Sequence, residues 1–307
     1  MPELDLSFAL SVPVLAGQFN RAHLALVGCG GTGSWLAPAV VRTARVLKEQ
    51  GVTVGVTFVD PDHVEHGNIF RQNFCDAEVG RNKAETLALR FSQAWGLEIR
   101  AVPRRFKADD LYLAEDGRHW GQHERQVTVL LGAVDNAAAR QTMSQALDGH
   151  RAEFDAYGHA LWWLDSGNGK TSGQVLLGST RDPNRLAEAF VLPDRCNALP
   201  SPMLQHPELL EARLEELDPS ISGLSCEAMA ARNAQSLTAN QMMAAIAADY
   251  LNNLLLTREL RTYATHVDLH SKSMRSKYVT PEAVLAFAAV AATRKAKKKL
   301  KANKKKR

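Results

Sequence analysis

The chain has 307 residues, 45% hydrophobic and 23% charged, which suits one large globular α/β unit and argues against intrinsic disorder. There is no apolar run of about 18 residues, so no membrane-spanning helix is indicated, and the four cysteines (Cys29, Cys75, Cys196, Cys226) contain no C-x-x-C pair of the zinc-ribbon kind. The net charge of +4 conceals a division: residues 294–307 hold ten Lys or Arg and no acid, leaving 27 basic against 33 acidic residues elsewhere, a body near −6.

In chain order, residues 1–22 are a short lead-in. They carry Glu3 and Asp5 but no basic residue before Leu10, unlike a secretory leader, so a cytoplasmic location with reduced thiols is expected. His23–Val27 reads as a buried strand that runs into the glycine-rich stretch Gly28–Gly33. A helix follows from Ser34 to about Leu47, with Pro38 in its early turns, where a missing N–H matters least. Val52–Val59 is a second strand ending on Asp60. Lys83–Ala94 reads as a helix, Leu97–Val102 as a strand, and Val127–Gly132 as another strand leading into Asp135, Asn136 and a helix to about Leu147. This alternation of apolar strands and helices predicts a parallel sheet covered on both faces.

The second half changes character. Phe154–Tyr157, Leu161–Asp165 and Gly173–Leu177 read as shorter strands, the last two joined by a Gly-rich turn. Residues 182–224 form a crossing segment with one helix near Pro207–Leu217. Ser225 to about Leu256 reads as a long helix, Thr262–Leu269 as a final strand and Pro281–Ala292 as a final helix. The cationic tail is expected to be disordered, since a block of like charge repels itself and has nothing to bury.

Gly28, Gly30 and Gly33 have G-x-G-x-x-G spacing between a strand and a helix. Glycine there permits a tight turn and close backbone approach to phosphate, while the helix N-terminus offers unpaired N–H groups. Nucleotide binding follows. Asp60 and Asp62 end the second strand, where a dinucleotide site places its ribose-holding acid, so NAD stays open on this feature.

Further residues carry a resemblance. Asp60-Pro-Asp62 is followed by Val64-Glu65, Asn68-Ile-Phe-Arg71-Gln72, Val79-Gly80, Lys83 and later Asp135-Asn136 and Arg140. Across residues 23–145 this order and spacing resembles the ThiF/MoeB adenylating enzymes, relatives of ubiquitin-activating enzymes. The resemblance implies a Rossmann-like, doubly wound, mostly parallel sheet with an appended mixed α/β region. Residues 1–180 would be the ATP-binding core, residues 181–293 the crossing segment, long helix and C-terminal part of the same domain, and residues 294–307 the tail. It implies ATP and Mg²⁺ as cofactors and a homodimer. The substrate implied is the C-terminal carboxylate of a small ubiquitin-like protein.

Carried onto matching positions, Gly28, Gly30, Gly31 and Gly33 would cradle phosphate with Asn68 and Gln72 beside them. Arg71 and Lys83 would meet the phosphates, Asp62 the ribose and Asp135 the metal, with Asp60 and Asn136 also among the nucleotide-binding residues. Taken singly these residues have plainer readings: Asp135-Asn136 is a helix cap, Arg71 a surface ion-pair partner, Lys83 a solvated helix residue. One departure from the family concerns its early arginine, which contacts ATP across the dimer. Here the segment reads Gln18-Phe-Asn20-Arg21, and Arg21 is the candidate.

Some members of the family capture their substrate as a thioester. Cys29 lies inside the glycine loop and reads as structural; Cys75 reads as packed or incidental. Cys226, at the start of the predicted long helix, is favoured as a functional thiol, Cys196 is second, and neither is the remaining alternative. The run from Ser225 to Leu251 is similar to the PRTRC-system branch of the family, which implies a ubiquitin-like partner and a carrier-enzyme-like protein. Gly167–Thr171 lacks the first glycine of a P-loop and reads as a hairpin turn. No metal site is assigned to His63, His66, His266 or His270. The tail has three readings, non-specific contact with nucleic-acid phosphates, docking of an acidic partner and solubility; it has no aromatic residue, so base stacking is not expected. The alternatives to an adenylating enzyme are a non-catalytic ThiF-like scaffold that binds nucleotide or a partner, and an NAD-dependent oxidoreductase.

Overall fold

A computed structural model describes residues 5–111, 125–156, 158–169, 171–190, 192, 194–211 and 237–290. β1 (Arg21–Val27) is the centre of the sheet, parallel to β2 (Thr53–Val59) on one side and β4 (Gln126–Gly132) on the other. β3 (Ile99–Val102) lies outside β2 and β5 (Ala160–Asn168) outside β4, both parallel. β6 (Ser172–Gly178), β7 (Thr262–Asp268) and β8 (Ser273–Tyr278) extend this edge antiparallel, giving the order β3-β2-β1-β4-β5-β6-β7-β8 among the described residues.

Alternation along the strands explains the layers. In β1, Ala22, Leu24 and Leu26 enter one core, while Ala25 and Val27 enter another on the opposite face. In β5, Trp162 and Leu164 face the first core and Leu161 and Trp163 the second. Strands buried on both faces need cover on both. The first face is covered by α1 (Gly31–Glu49), α3 (Lys83–Trp95) and a long helix, α7 (Leu237–Asn252), which packs along α1. The other is covered by α4 (Ala137–Ala156). Short helices α2 (His66–Ile69), α5 (Pro183–Ala187) and α6 (Pro202–Gln205) lie in the connections.

The chain winds from β1 outward to β3, returns to β4, and winds the other way. The connections after β1 and β4 therefore diverge, opening a crevice at the carboxyl ends of these strands.

Three expectations need correction. Phe154–Ala156 continues α4 and is not a strand; its aromatic content suits either state. Thr262–Asp268 is not the final strand, because β8 follows it. The β8 residues are mostly exposed, so no apolar run announces them. The described start of the predicted Pro207 helix is a single 3-10 turn, Pro207–Leu210. A hairpin turn joins β5 to β6, with the Gly169 N–H donating to the Ser172 carbonyl at 2.8 Å. The start of the predicted Ser225 helix and the cationic tail lie outside the described residues. No described helix is long and apolar enough to cross a membrane.

Candidate functional site

The crevice is floored by the glycine loop. Gly28 has φ +90°, and its N–H donates to the Val59 carbonyl at 2.9 Å. A Cβ at this position would sit 2.5 Å from the Ala133 carbonyl oxygen, so the β1 and β4 turns approach as closely as glycine allows. Gly30 is the N-cap of α1 without a capping side chain, and the first turn of α1, where Gly31 and Gly33 lie, carries no acid. A 19-residue helix thus presents bare N–H groups to the crevice, an arrangement suited to an anion.

The two acids after β2 divide their roles. Asp60 is 5% exposed. One oxygen accepts the Cys29 N–H at 2.6 Å and the other the Asp62 N–H at 2.8 Å. Burial pushes its carboxyl up, opposed by these two bonds. Both oxygens are therefore engaged by the chain's own backbone. Asp62 has an exposed side chain, 3.6 Å from Lys83 Nζ, which is itself nearly buried. Asn82 fixes this turn: its side chain donates to the Asp60 and Asp62 carbonyls at 2.9 and 3.0 Å and accepts from the Glu85 N–H, capping α3. The Lys83 N–H adds a bond to the Asp62 carbonyl at 2.9 Å.

The Asn68–Gln72 segment forms the next wall. Asn68 is buried and accepts the Glu65 N–H through Oδ1 at 3.2 Å. The Arg71 carbonyl accepts from Trp35 Nε1 at 3.1 Å and from Asn240 Nδ2 at 3.3 Å. Three buried polar atoms here, Asn68 Nδ2, Arg71 Nε and Gln72 Oε1, have no partner among the described residues. Gln72 flanks the loop, its Nε2 lying 3.9 Å from where a Gly30 Cβ would be. Two unpaired donors and one unpaired acceptor near a bare helix N-terminus fit a polar ligand that both accepts and donates hydrogen bonds.

After β4, Asp135 is exposed and accepts a hydrogen bond from Asn136 Nδ2 at 3.3 Å. Asn136 accepts the Ala139 N–H at 2.9 Å and so caps α4, its plainer role. Arg140 is buried. It pairs with Asp165 at 3.2 Å and donates through Nη2 to the Val134 carbonyl at 2.6 Å, holding the turn that presents Asp135. Among the described residues no group of three His, Cys, Asp or Glu could hold a metal ion. Asp135 would offer a magnesium ion one carboxylate, leaving the rest of its coordination to a ligand and water.

Arg21 opens β1, at the end of the sheet opposite the loop. Cys29 is buried, and burial with the neighbouring Asp60 drives its thiol pKa well up. Cys196 is buried too, with its pKa pushed up to about 12 by burial. Cys75 is exposed rather than packed. Cys226 lies outside the described residues.

Asn82, Asn240, Asn168 and Trp35 were not found by sequence reasoning. Only Asn82 carried a local signal, an Asn three residues before Glu85 at the head of a helix.

Sheet and glycine loop define a doubly wound, Rossmann-like α/β protein with an antiparallel extension. The model of the ThiF family matches residues 15–282, and the chain belongs to that family. Comparison with curated proteins finds no match. Among solved structures, PaaA is similar at 15% identity and TM-score 0.49, over 85% of this chain and 65% of that one. Escherichia coli MccB crystallised with ATP is similar at 15% identity and TM-score 0.48, over 85% and 65%. MccB with AMPCPP and MccA gives 13% identity and TM-score 0.47, over the same shares. The chain spans just under two thirds of the length of each of these proteins.

Proposed function

We propose that the chain is an ATP-dependent adenylating enzyme that activates the C-terminal carboxylate of a small ubiquitin-like protein. The observation that carries this reading is the cationic pair Arg71 and Lys83 at the same end of the sheet as a bare helix N-terminus and the exposed carboxylate of Asp135. Hydride transfer has no use for that set. In the reaction, a substrate carboxylate oxygen bonds to the α-phosphorus of ATP. The bond from that phosphorus to the bridging oxygen breaks, and pyrophosphate leaves with the electron pair. Arg71 and Lys83 meet the charge gathering on the leaving group, the α1 N-terminus binds phosphate oxygens, and Asp62 accepts from the ribose hydroxyls. Magnesium, held by Asp135, would neutralise phosphate charge.

ATP–pyrophosphate exchange tests this. Exchange should require a ubiquitin-like partner and fall at least about a hundredfold in Asp135→Ala, as for loss of a transition-state charge contact. ATP binding without exchange, across candidate partners, would favour the scaffold alternative.

The finer parts of the proposal follow from the family resemblance: a homodimer, an arginine supplied across it, the PRTRC-system branch and a carrier-like partner. Thioester formation is a second step, in which the Cys226 thiolate attacks the acyl carbon and AMP departs. Cys29 and Cys196 are buried and so poorly placed for it. A thiol-labile adduct should form with the native chain and be absent from Cys226→Ala; its persistence in the variant would remove Cys226 from the reaction.

A further inference from the structure

Asn240 stands in the first described turn of α7, more than 160 residues from the motif loop, and is fully buried. Its side chain joins three segments. Nδ2 donates to the Arg71 carbonyl at 3.3 Å, and Oδ1 accepts from Asn168 Nδ2 at 3.1 Å and lies 3.5 Å from Thr32 Oγ1. Thr32 Oγ1 also donates to Asn168 Oδ1 at 3.1 Å, which closes the cluster. With Trp35 Nε1 on the same carbonyl, the Arg71 backbone is held between α1 and α7, while its Nε has no partner among the described residues.

Gly31 lies against this amide. A Cβ there would be 2.7 Å from Asn240 Oδ1 and 3.0 Å from its Cγ and Nδ2. Gly31 is in the first turn of α1, outside the left-handed region, so its conformation does not demand glycine. The space does.

We infer that Asn240 is a positioning residue for Arg71 and that Gly31 is glycine because the Asn240 amide fills the room a side chain would take. The inference rests on the adenylating reading for what Arg71 does with its guanidinium. A cation that stabilises a leaving pyrophosphate must be in place before the charge develops, and a displacement of about 1 Å can cost two orders of magnitude in rate. Arg71 itself lies in an irregular connection, so its placement has to come from neighbours on α1 and α7.

The test compares Asn240→Ala and Asn240→Asp with Asn252→Ala. Asn252 accepts from Thr43 Oγ1 at 2.7 Å and ties the same two helices, about 18 Å further along α7. It therefore controls for loosened packing without touching Arg71. Asp at position 240 keeps the acceptors for Asn168 and Thr32 but cannot donate to the Arg71 carbonyl. Both position-240 variants should lose at least tenfold in the kcat of ATP–pyrophosphate exchange, more than the change in KM for ATP. Asn252→Ala should lower the melting temperature while leaving kcat within about twofold. Gly31→Ala should lower the melting temperature by several degrees in the native background and by markedly less in Asn240→Ala, where the space is open. Equal kcat losses for Asn240→Ala and Asn252→Ala, or a fully active Asn240→Asp, would overturn the positioning role. An equal Gly31→Ala penalty in both backgrounds would overturn the steric pairing. A native chain that binds no ATP removes the adenylating reading, and the positioning role with it, while the Gly31 comparison still reads the steric pairing.

Discussion

Asp60 and Asp62 are separated by one proline, yet substitution should expose different jobs. Asp60→Asn keeps one acceptor oxygen and turns an NH₂ toward the second backbone N–H, so one of the bonds at 2.6 and 2.8 Å is lost. A hydrogen bond to a charged group contributes about 1.5–3 kcal/mol. At roughly 2 °C per kcal/mol for a chain of this size, the melting temperature should fall by about 3–6 °C. The loop must also be reordered on binding, so affinity for ATP and for 2′,3′-dideoxy-ATP should fall together, about tenfold or more. Asp62→Asn removes an ion pair at 3.6 Å whose carboxylate is exposed and solvent-screened although Lys83 is buried, worth about 1 kcal/mol, and should move the melting temperature by no more than about 2 °C. It should instead abolish the preference for ATP over the dideoxy analogue. Calorimetric titration of both nucleotides, beside thermal melts of the free proteins, measures all four quantities. An unchanged melting temperature in Asp60→Asn would refute the anchoring argument. A native-like preference for ATP in Asp62→Asn would place the ribose contact elsewhere.

Two further outcomes are expected. Gly28→Ala puts a Cβ 2.5 Å from the Ala133 carbonyl oxygen at φ +90°, between backbone segments that cannot both yield; it should cost about 2–4 kcal/mol by thermal melt and abolish ATP binding. His23, buried between Thr57 Oγ1 and the Leu111 carbonyl, has its pKa lowered to about 4, burial being the main cause. It is therefore neutral in the fold while the unfolded chain gains a proton below about pH 6.5, so its stability contribution is complete above that pH and is lost as pH falls toward 4. Denaturant titrations at pH 7 and pH 5 should show the native chain losing about 2 kcal/mol more than His23→Gln.

Much of the core was legible because its signals are local and repeat. The apolar runs of β1, β2 and β4, the glycine spacing between β1 and α1, and the helix after Lys83 each lie within one stretch of chain. What escaped depends on partners far away. Asp60 read as a ligand residue because its position after β2 is where such acids lie; that Cys29 and Asp62 take both its oxygens is a fact of folding. Arg140 read as part of a motif, and its partner Asp165 sits on the neighbouring strand. Asn240 is one polar residue in an Ala- and Met-rich helix, and nothing in its neighbourhood of sequence points to Arg71. β8 escaped for the opposite reason: a mostly exposed edge strand has little burial pattern to read.

These distant ties bear on why buried polar groups are kept at this site at all. The Arg140–Asp165 pair is buried on both sides, and an apolar pair of similar volume would often be at least as stable. Its geometry suggests another use. Arg140 reaches past Asp165 to the Val134 carbonyl, one residue from Asp135, just as Asn240 reaches the Arg71 carbonyl and Asp60 the Cys29 N–H. In each case a buried group holds backbone and leaves a nearby polar side chain or N–H group free of that task. The proposed adenylation would use this division, because in that reaction charge moves from the triphosphate to a leaving pyrophosphate within one step, and groups already in place need not reorganise as it moves. The polar core beneath the crevice is then better explained by the placement of Arg71, Asp135 and the glycine loop than by any gain in stability.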